Sequence, residues 1–199
     1  MKKIILASQS PRRRELLKQI GVSFEVIPSY MKETIDPKET ITEKIEMLAL
    51  EKAIDVAKEI TEEALVIGAD TVVVLDKILG KPSSQQEARN MLQSLAGKTH
   101  QVISGISIID TKTQRQCTAH QVTYVKMREY GVEEINNYIA SGECWDKAGS
   151  YAIQGLGALF VEEIKGDYFN VVGLPLGLLN NLLKTFGVNI LASFIQEES

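Results

Sequence analysis

The chain has 199 residues, 44% hydrophobic and 24% charged, a balance that excludes a disordered protein and suffices to bury a real core in one domain or two closely joined lobes. Its 22 Lys and Arg against 26 Asp and Glu leave a formal charge of -4, so no global basic field holds it on nucleic acid or an anionic membrane. Any anion it binds has to be met locally.

Residues 3–7 (KIILA) form a continuous apolar run, as expected of a strand covered on both faces. Ser10 followed by Pro11 sets an N-cap with proline at the first helical position, and the helix runs to Gly21. FEVIP (24–28) reads as a second strand. From Thr42 to Glu59 the apolar residues Ile45, Leu48, Ala49, Ala53, Val56 and Ala57 make a stripe of helical period. ALVIGADTVVVLD (64–76) reads as two apolar runs interrupted by Gly68, Ala69, Asp70 and Thr71. Residues 84–95 predict a helix, 100–110 and 118–127 two strands joined by a turn near Lys112, and 133–141 a helix ending at Gly142. After the turn-rich DKAGSYAIQGLGA come a strand in ALFVEEI, a hairpin at Lys165-Gly166-Asp167 and a C-terminal helix around LLNNLLKTF. Strands alternating with helices, with hairpins in the middle, give a mixed-sheet α/β fold.

Several familiar motifs fail. Gly97-Lys98-Thr99 lacks the earlier glycine of a phosphate-binding loop and follows a helix instead of a strand. Gly155-Leu156-Gly157 lacks the third glycine of a dinucleotide fingerprint. His100 and His120 stand apart near strand starts and read as hydrogen-bonded structural residues. Cys117 and Cys144 have no C-x-x-C or zinc-ligand spacing, which argues against zinc and a disulfide scaffold, and Cys117 has no partner base nearby in sequence to make it a thiol nucleophile. MKKIILAS is too short an apolar run for a signal peptide, and no stretch reaches the roughly 20 apolar residues of a membrane span. The expectation is a cytoplasmic protein without membrane attachment.

Three clusters carry chemistry. ASQSPRRRELL places Ser8, Ser10 and Arg12, Arg13 and Arg14 at a helix start, where unpaired N–H groups favour an anion but cations oppose the dipole. Solvated surface charges and a phosphate clamp are the two readings, with Arg12 and Arg13 in the clamp and Arg14 facing solvent. In GADTVVVLDKILGKP, Asp70 follows two small residues and is either a partner for a neighbouring Lys or Arg, a magnesium ligand or a base for water. Lys81 stands on the Gly80-Lys81-Pro82 turn as a phosphate cation or a solvated lysine. In DKAGSYAIQGLGA, Gln154 is an amide that can read a base edge or cap a turn.

LASQSPRRRELL, GADTVV, GKP, DKAGSYAIQG and GDYFNVVGLPL, in this order along essentially the whole chain, resemble the Maf family of nucleoside triphosphate pyrophosphatases. The resemblance implies hydrolysis of a nucleoside triphosphate to monophosphate and pyrophosphate with a divalent cation, Mg2+ or Mn2+, by a single domain over 1–199. It also implies an α/β fold of two lobes around a deep cleft, similar to that of the inosine triphosphatases. Ser8, Arg12 and Arg13 match the family's phosphate-binding opening. Glu33 and Lys52 match the acidic and basic residues that follow, Asp70 the catalytic carboxylate, and Lys81 the GKP lysine. Arg12, Thr71 and Gln154 match positions tied to substrate choice. Asp70 and Glu33 are the implied metal ligands, although here the run is SYMKETID, with Lys32 before Glu33 where family members often carry an Asp-Glu pair. The AIQG form resembles the branch acting on dTTP and UTP, with modified pyrimidine nucleotides and a homodimer left open. Attack of water on the α-phosphorus needs charge neutralised on all three phosphates, which gives the opening arginines a purpose on an acidic protein. A nucleotide-binding regulator of division and a phosphatase releasing inorganic phosphate are the competing readings.

Overall fold

In the computed structural model, which describes residues 2–31 and 40–192, the opening apolar run becomes strand β1 (Lys3–Leu6) and is followed by helix α1 (Pro11–Gln19). Ser10 caps that helix in extended backbone, its side chain accepting from the Arg13 N–H, and Pro11 sits in the first turn, where a missing N–H leaves no hydrogen bond unmade. The chain continues through β2 (Glu25–Val26), α2 (Ile41–Ala57), β3 (Ala64–Val74), β4 (Ile78–Leu79), α3 (Gln85–Leu95), β5 (Thr99–Asp110) and β6 (Gln116–Met127). Then come α4 (Val132–Ala140), two 3-10 turns (Ala148–Ser150 and Gly155–Phe160), β7 (Val161–Lys165), α5 (Tyr168–Val172) and α6 (Leu176–Thr185). The strands form a sheet in the order β2-β1-β3-β5-β6-β7, with β4 paired to β3. β1 runs parallel to β2 and β3, whereas β3–β4 and β6–β7 are antiparallel, so the expected mixed sheet with flanking helices is what forms.

The chain divides into two compact units, one of Met1–Asp70, Ser104–Gln121 and Gly173–Ser199, the other of Thr71–Ile103 and Val122–Val172. In the first, α2 rests almost directly on backbone. A Cβ at Gly68 on β3 would stand 2.1 Å from the Ala49 carbonyl oxygen, and one at Gly105 on β5 would stand 2.5 Å from that of Ile45. Ala53 and Val56 of α2 join Ile5, Ala7, Val66 and Ile109 in a fully enclosed apolar cluster. This close approach is why the helix is alanine-rich on one face. The other unit gathers Leu92 and Leu95 of α3 and Ile135 and Tyr138 of α4 with Val73, Val125 and Met127 from strands.

Four local readings change. β3 is one strand of eleven residues, not two interrupted runs, because Gly68 lets α2 pack on the strand and the Asp70 side chain is paired with Lys52. Lys165-Gly166-Asp167 is not a hairpin: Gly166 at φ 131° leads into α5, and Asp167 Oδ1 accepts from the Phe169 N–H at 2.8 Å. Ala158–Phe160 belongs to a 3-10 turn, so the strand expected in ALFVEEI begins only at Val161. The C-terminal helix starts earlier than expected, at Leu176.

Candidate active site

The first unit assembles its cationic corner from the turn after β1. Ala7 N–H donates to the Ile67 carbonyl at 2.8 Å, prolonging the β1–β3 pairing by one residue. The chain then turns at buried Ser8, whose Oγ accepts from the Ser10 N–H at 3.2 Å and from Arg13 Nη1 at 3.1 Å. Arg13 folds back over this turn, with Nη1 also donating to the Ala69 carbonyl at 2.9 Å and Nε to that of Gly173 at 2.8 Å. Its guanidinium is thus fixed on two carbonyls, one of them, that of Ala69, one residue from Asp70. Arg12 is half-buried and Arg14 exposed, the latter as expected. The three arginines therefore have three different environments, and Arg13 acts first as a strut.

Asp70 lies at the far end of this corner. Because α2 rests on Gly68, Lys52, between Ala49 and Ala53, reaches over β3 and donates from Nζ to Asp70 Oδ1 at 2.5 Å, the two side chains 17% and 14% exposed. Two charges removed this far from water need each other. The ion-pair reading of Asp70 is therefore realised, and its partner is the lysine that the family resemblance named. A carboxylate and an ammonium side by side are also the kind of charged groups that water activation next to phosphate uses. Glu33 lies outside the described residues, and among those described no group of three or more His, Cys, Asp or Glu is placed to hold a metal ion.

The second unit carries the remaining candidates. Thr71 follows on β3 and is half-buried; Lys81 and Gln154 are exposed. The Gly80-Lys81-Pro82 turn is tied to the DKAGSY stretch by the Gly149 N–H donating to the Gly80 carbonyl at 3.0 Å. Gly149 (φ 69°) is in the left-handed region that favours glycine, and a Cβ there would press on the Val73 side chain at 3.0 Å. Ser150 is left-handed too (φ 64°), a costly state for a non-glycine, and is held by burial and a 3.1 Å contact from Oγ to Met91 Sδ. Lys147, quoted in the motif without a role, has its side chain only 15% exposed beside Asp146.

Both histidines are structural, as expected. Buried His100 shares a 2.7 Å hydrogen bond between Nε2 and the Tyr151 hydroxyl, and burial pushes its pKa down to about 4, so it is neutral near pH 7. His120 Nδ1 pairs with Glu46 at 2.7 Å. Cys117 and Cys144 are free thiols, and no described helix is long and apolar enough to cross a membrane. Sequence reasoning missed the Gly173 carbonyl, which anchors Arg13 across 160 positions, and Glu143, taken up below.

The family model described as Maf-like protein matches residues 3–186. A dTTP/UTP pyrophosphatase of Acetivibrio thermocellus is 50% identical over 96% of this chain and 98% of its own length. One from Thermoanaerobacter sp. is 51% identical over 95% of this chain and the whole of its own. Among solved structures the likeness is loose: a nucleoside-triphosphatase, dITP/XTP pyrophosphatase, of Mycobacterium abscessus superposes with a TM-score of 0.42 at 14% identity, over 63% of this chain and 74% of that one. With its opening, GADTVV, GKP and DKAGSYAIQG motifs all falling inside a family match that spans nearly its full length, the chain belongs to the Maf family.

Proposed function

We propose that this protein is a nucleoside triphosphate pyrophosphatase that hydrolyses dTTP and UTP to the monophosphate and pyrophosphate, the residues 1–199 acting as one Maf-like domain. The observation that carries the reading is the Lys52–Asp70 pair, next to the Ala69 carbonyl that Arg13 grips, in a chain half identical to two dTTP/UTP pyrophosphatases. Asp70 positions the attacking water and takes its proton. Lys52, whose Nζ donates to that carboxylate, offers its charge to the α-phosphate. Ser8, Arg12, Arg13 and Lys81 bind phosphate oxygens, and the pyrophosphate leaves with its charge neutralised by these groups. The nucleotide-binding regulator is not favoured, since a binding module has no need of a carboxylate paired in this way.

The donor set suits magnesium or manganese, ions that take one or two carboxylates and complete their shell with water and substrate phosphate. Asp70, with Glu33 from the segment outside the described residues, would hold such an ion, which when bound supplies charge neutralisation on the phosphates. A net charge of -4 favours a small polyanion met by local cations over nucleic acid or a membrane surface, and two free thiols suit work in the cytoplasm. Purified protein given a nucleotide panel with Mg2+ or Mn2+ is expected to release pyrophosphate and monophosphate from dTTP and UTP. Diphosphate and inorganic phosphate as the only products would overturn the assignment. Sedimentation of the same preparation decides between monomer and homodimer.

Gln154, with Thr71 and Arg12, sets substrate choice. Uracil and thymine present two carbonyls and one N–H, which an amide with nearby backbone groups matches; cytosine replaces one acceptor with a donor and leaves a pocket donor unpaired. That mismatch costs roughly 1–3 kcal/mol, about 5-fold to 150-fold in kcat/KM. Gln154→Ala is expected to lose most of the preference for UTP over CTP while losing less of its UTP turnover. An unchanged UTP to CTP ratio would make Gln154 a turn residue only.

A further inference from the structure

Gln154 sits in extended backbone immediately before the 3-10 turn Gly155–Phe160, and the chain on both sides of it is pinned. Upstream, the Tyr151 hydroxyl is held by buried His100 and Gly149 is held on Gly80. Downstream, the Glu143 carboxylate accepts from the Leu156 N–H with both oxygens at 3.1 Å, and Oε2 accepts from the Gly157 N–H at 3.4 Å. The fit leaves no slack. A Cβ at Gly155, itself at φ 67°, would lie 2.8 Å from Glu143 Oε1, and one at Gly157 would lie 2.4 Å from the Ala152 carbonyl oxygen.

We propose that Glu143 is a positioning residue for base selection: its carboxylate fixes the turn that presents Gln154. The proposal rests on the reading of Gln154 as the group that meets the base. An exposed glutamine on a free turn would sample many orientations and would lose a large part of its discrimination to that ordering cost. A carboxylate accepting from successive backbone N–H groups removes that freedom without touching the nucleotide, and charge-assisted bonds of this kind are the stronger ones. A gap of 13 residues separates donor from acceptor, so a carboxylate from outside the turn does the work that a capping side chain usually does from within it.

The test measures kcat and KM for UTP and CTP, together with amide hydrogen exchange at Leu156 and Gly157, on wild type, Glu143→Gln, Glu143→Ala and Gln154→Ala. In Glu143→Ala those two amides are expected to exchange on the order of tenfold faster. The UTP to CTP ratio should fall by a similar factor, with kcat for UTP falling less. Glu143→Gln, whose amide oxygen still accepts, should recover part of the ratio. Faster exchange with an unchanged ratio would overturn the positioning role. So would a fall in the ratio that Glu143→Gln does not relieve although exchange returns to normal. A ratio that collapses in Glu143→Ala but survives in Gln154→Ala would keep the clamp and remove Gln154 as the reader, so the two readings fail separately.

Discussion

Asp70→Asn is expected to lower UTP turnover by at least about 100-fold while the protein still folds. The amide keeps the volume of the carboxylate, and its Oδ1 can still accept from Lys52 Nζ, now 2.5 Å away. What it loses is the charge that removes a proton from water or draws a divalent ion. The variant also removes the charge that Asp70 sets against the Lys52 ammonium, 17% exposed, so a stability loss of about 1–3 kcal/mol should accompany the kinetic one. Circular dichroism and a urea titration establish folding, and steady-state release of pyrophosphate gives turnover. Near-normal turnover in a folded Asp70→Asn protein would confine Asp70 to its ion pair with Lys52.

The elements that were legible in the sequence are those whose physics is local. Ser10 and Pro11 announce a helix start because cap and first-turn proline act within three residues, and the apolar stripe of α2 is a property of one helix. β4 and α5, two and five residues long, are too short to show any period. The Gly-Asp at 166–167 reads as a hairpin turn on composition, yet its outcome is decided by Thr123, whose Oγ1 accepts from the Asp167 N–H at 3.1 Å from 44 residues away. β3 misled for a related reason: Gly68 looks like a break in a strand, but it is small because a helix lies on it. At the candidate site, residue types were readable and pairings were not. Asp70 announced that it needed a partner, whereas Lys52 as that partner depends on a helix–strand contact that no spacing rule contains.

That contact gives the second large effect. Gly68→Ala is expected to destabilise the protein by about 3 kcal/mol or more, because the new methyl group must displace backbone and not a yielding side chain. An ideal Cβ there lies 2.1 Å from the Ala49 carbonyl oxygen and 2.8 Å from the Ala53 nitrogen. In an open strand alanine would be the better residue by roughly 0.5–1 kcal/mol, so the sign of the result is itself informative. For a chain of this size the loss corresponds to a fall in Tm of about 6–12 °C. Lys52 stands between the two residues that must move, so its bond to Asp70 cannot survive an outward shift of α2, and misplacement by about 1 Å can cost on the order of 100-fold in turnover. Gly105→Ala separates the two effects. Its Cβ would press on the Ile45 carbonyl oxygen at 2.5 Å, about 10 Å along the helix from Lys52, so it should destabilise comparably while sparing turnover in the fraction that remains folded. If Gly68→Ala proves as stable as wild type, α2 does not rest on β3 as described; if both variants lose turnover equally at a temperature where both are folded, the Lys52–Asp70 geometry is not what α2 is placed to provide.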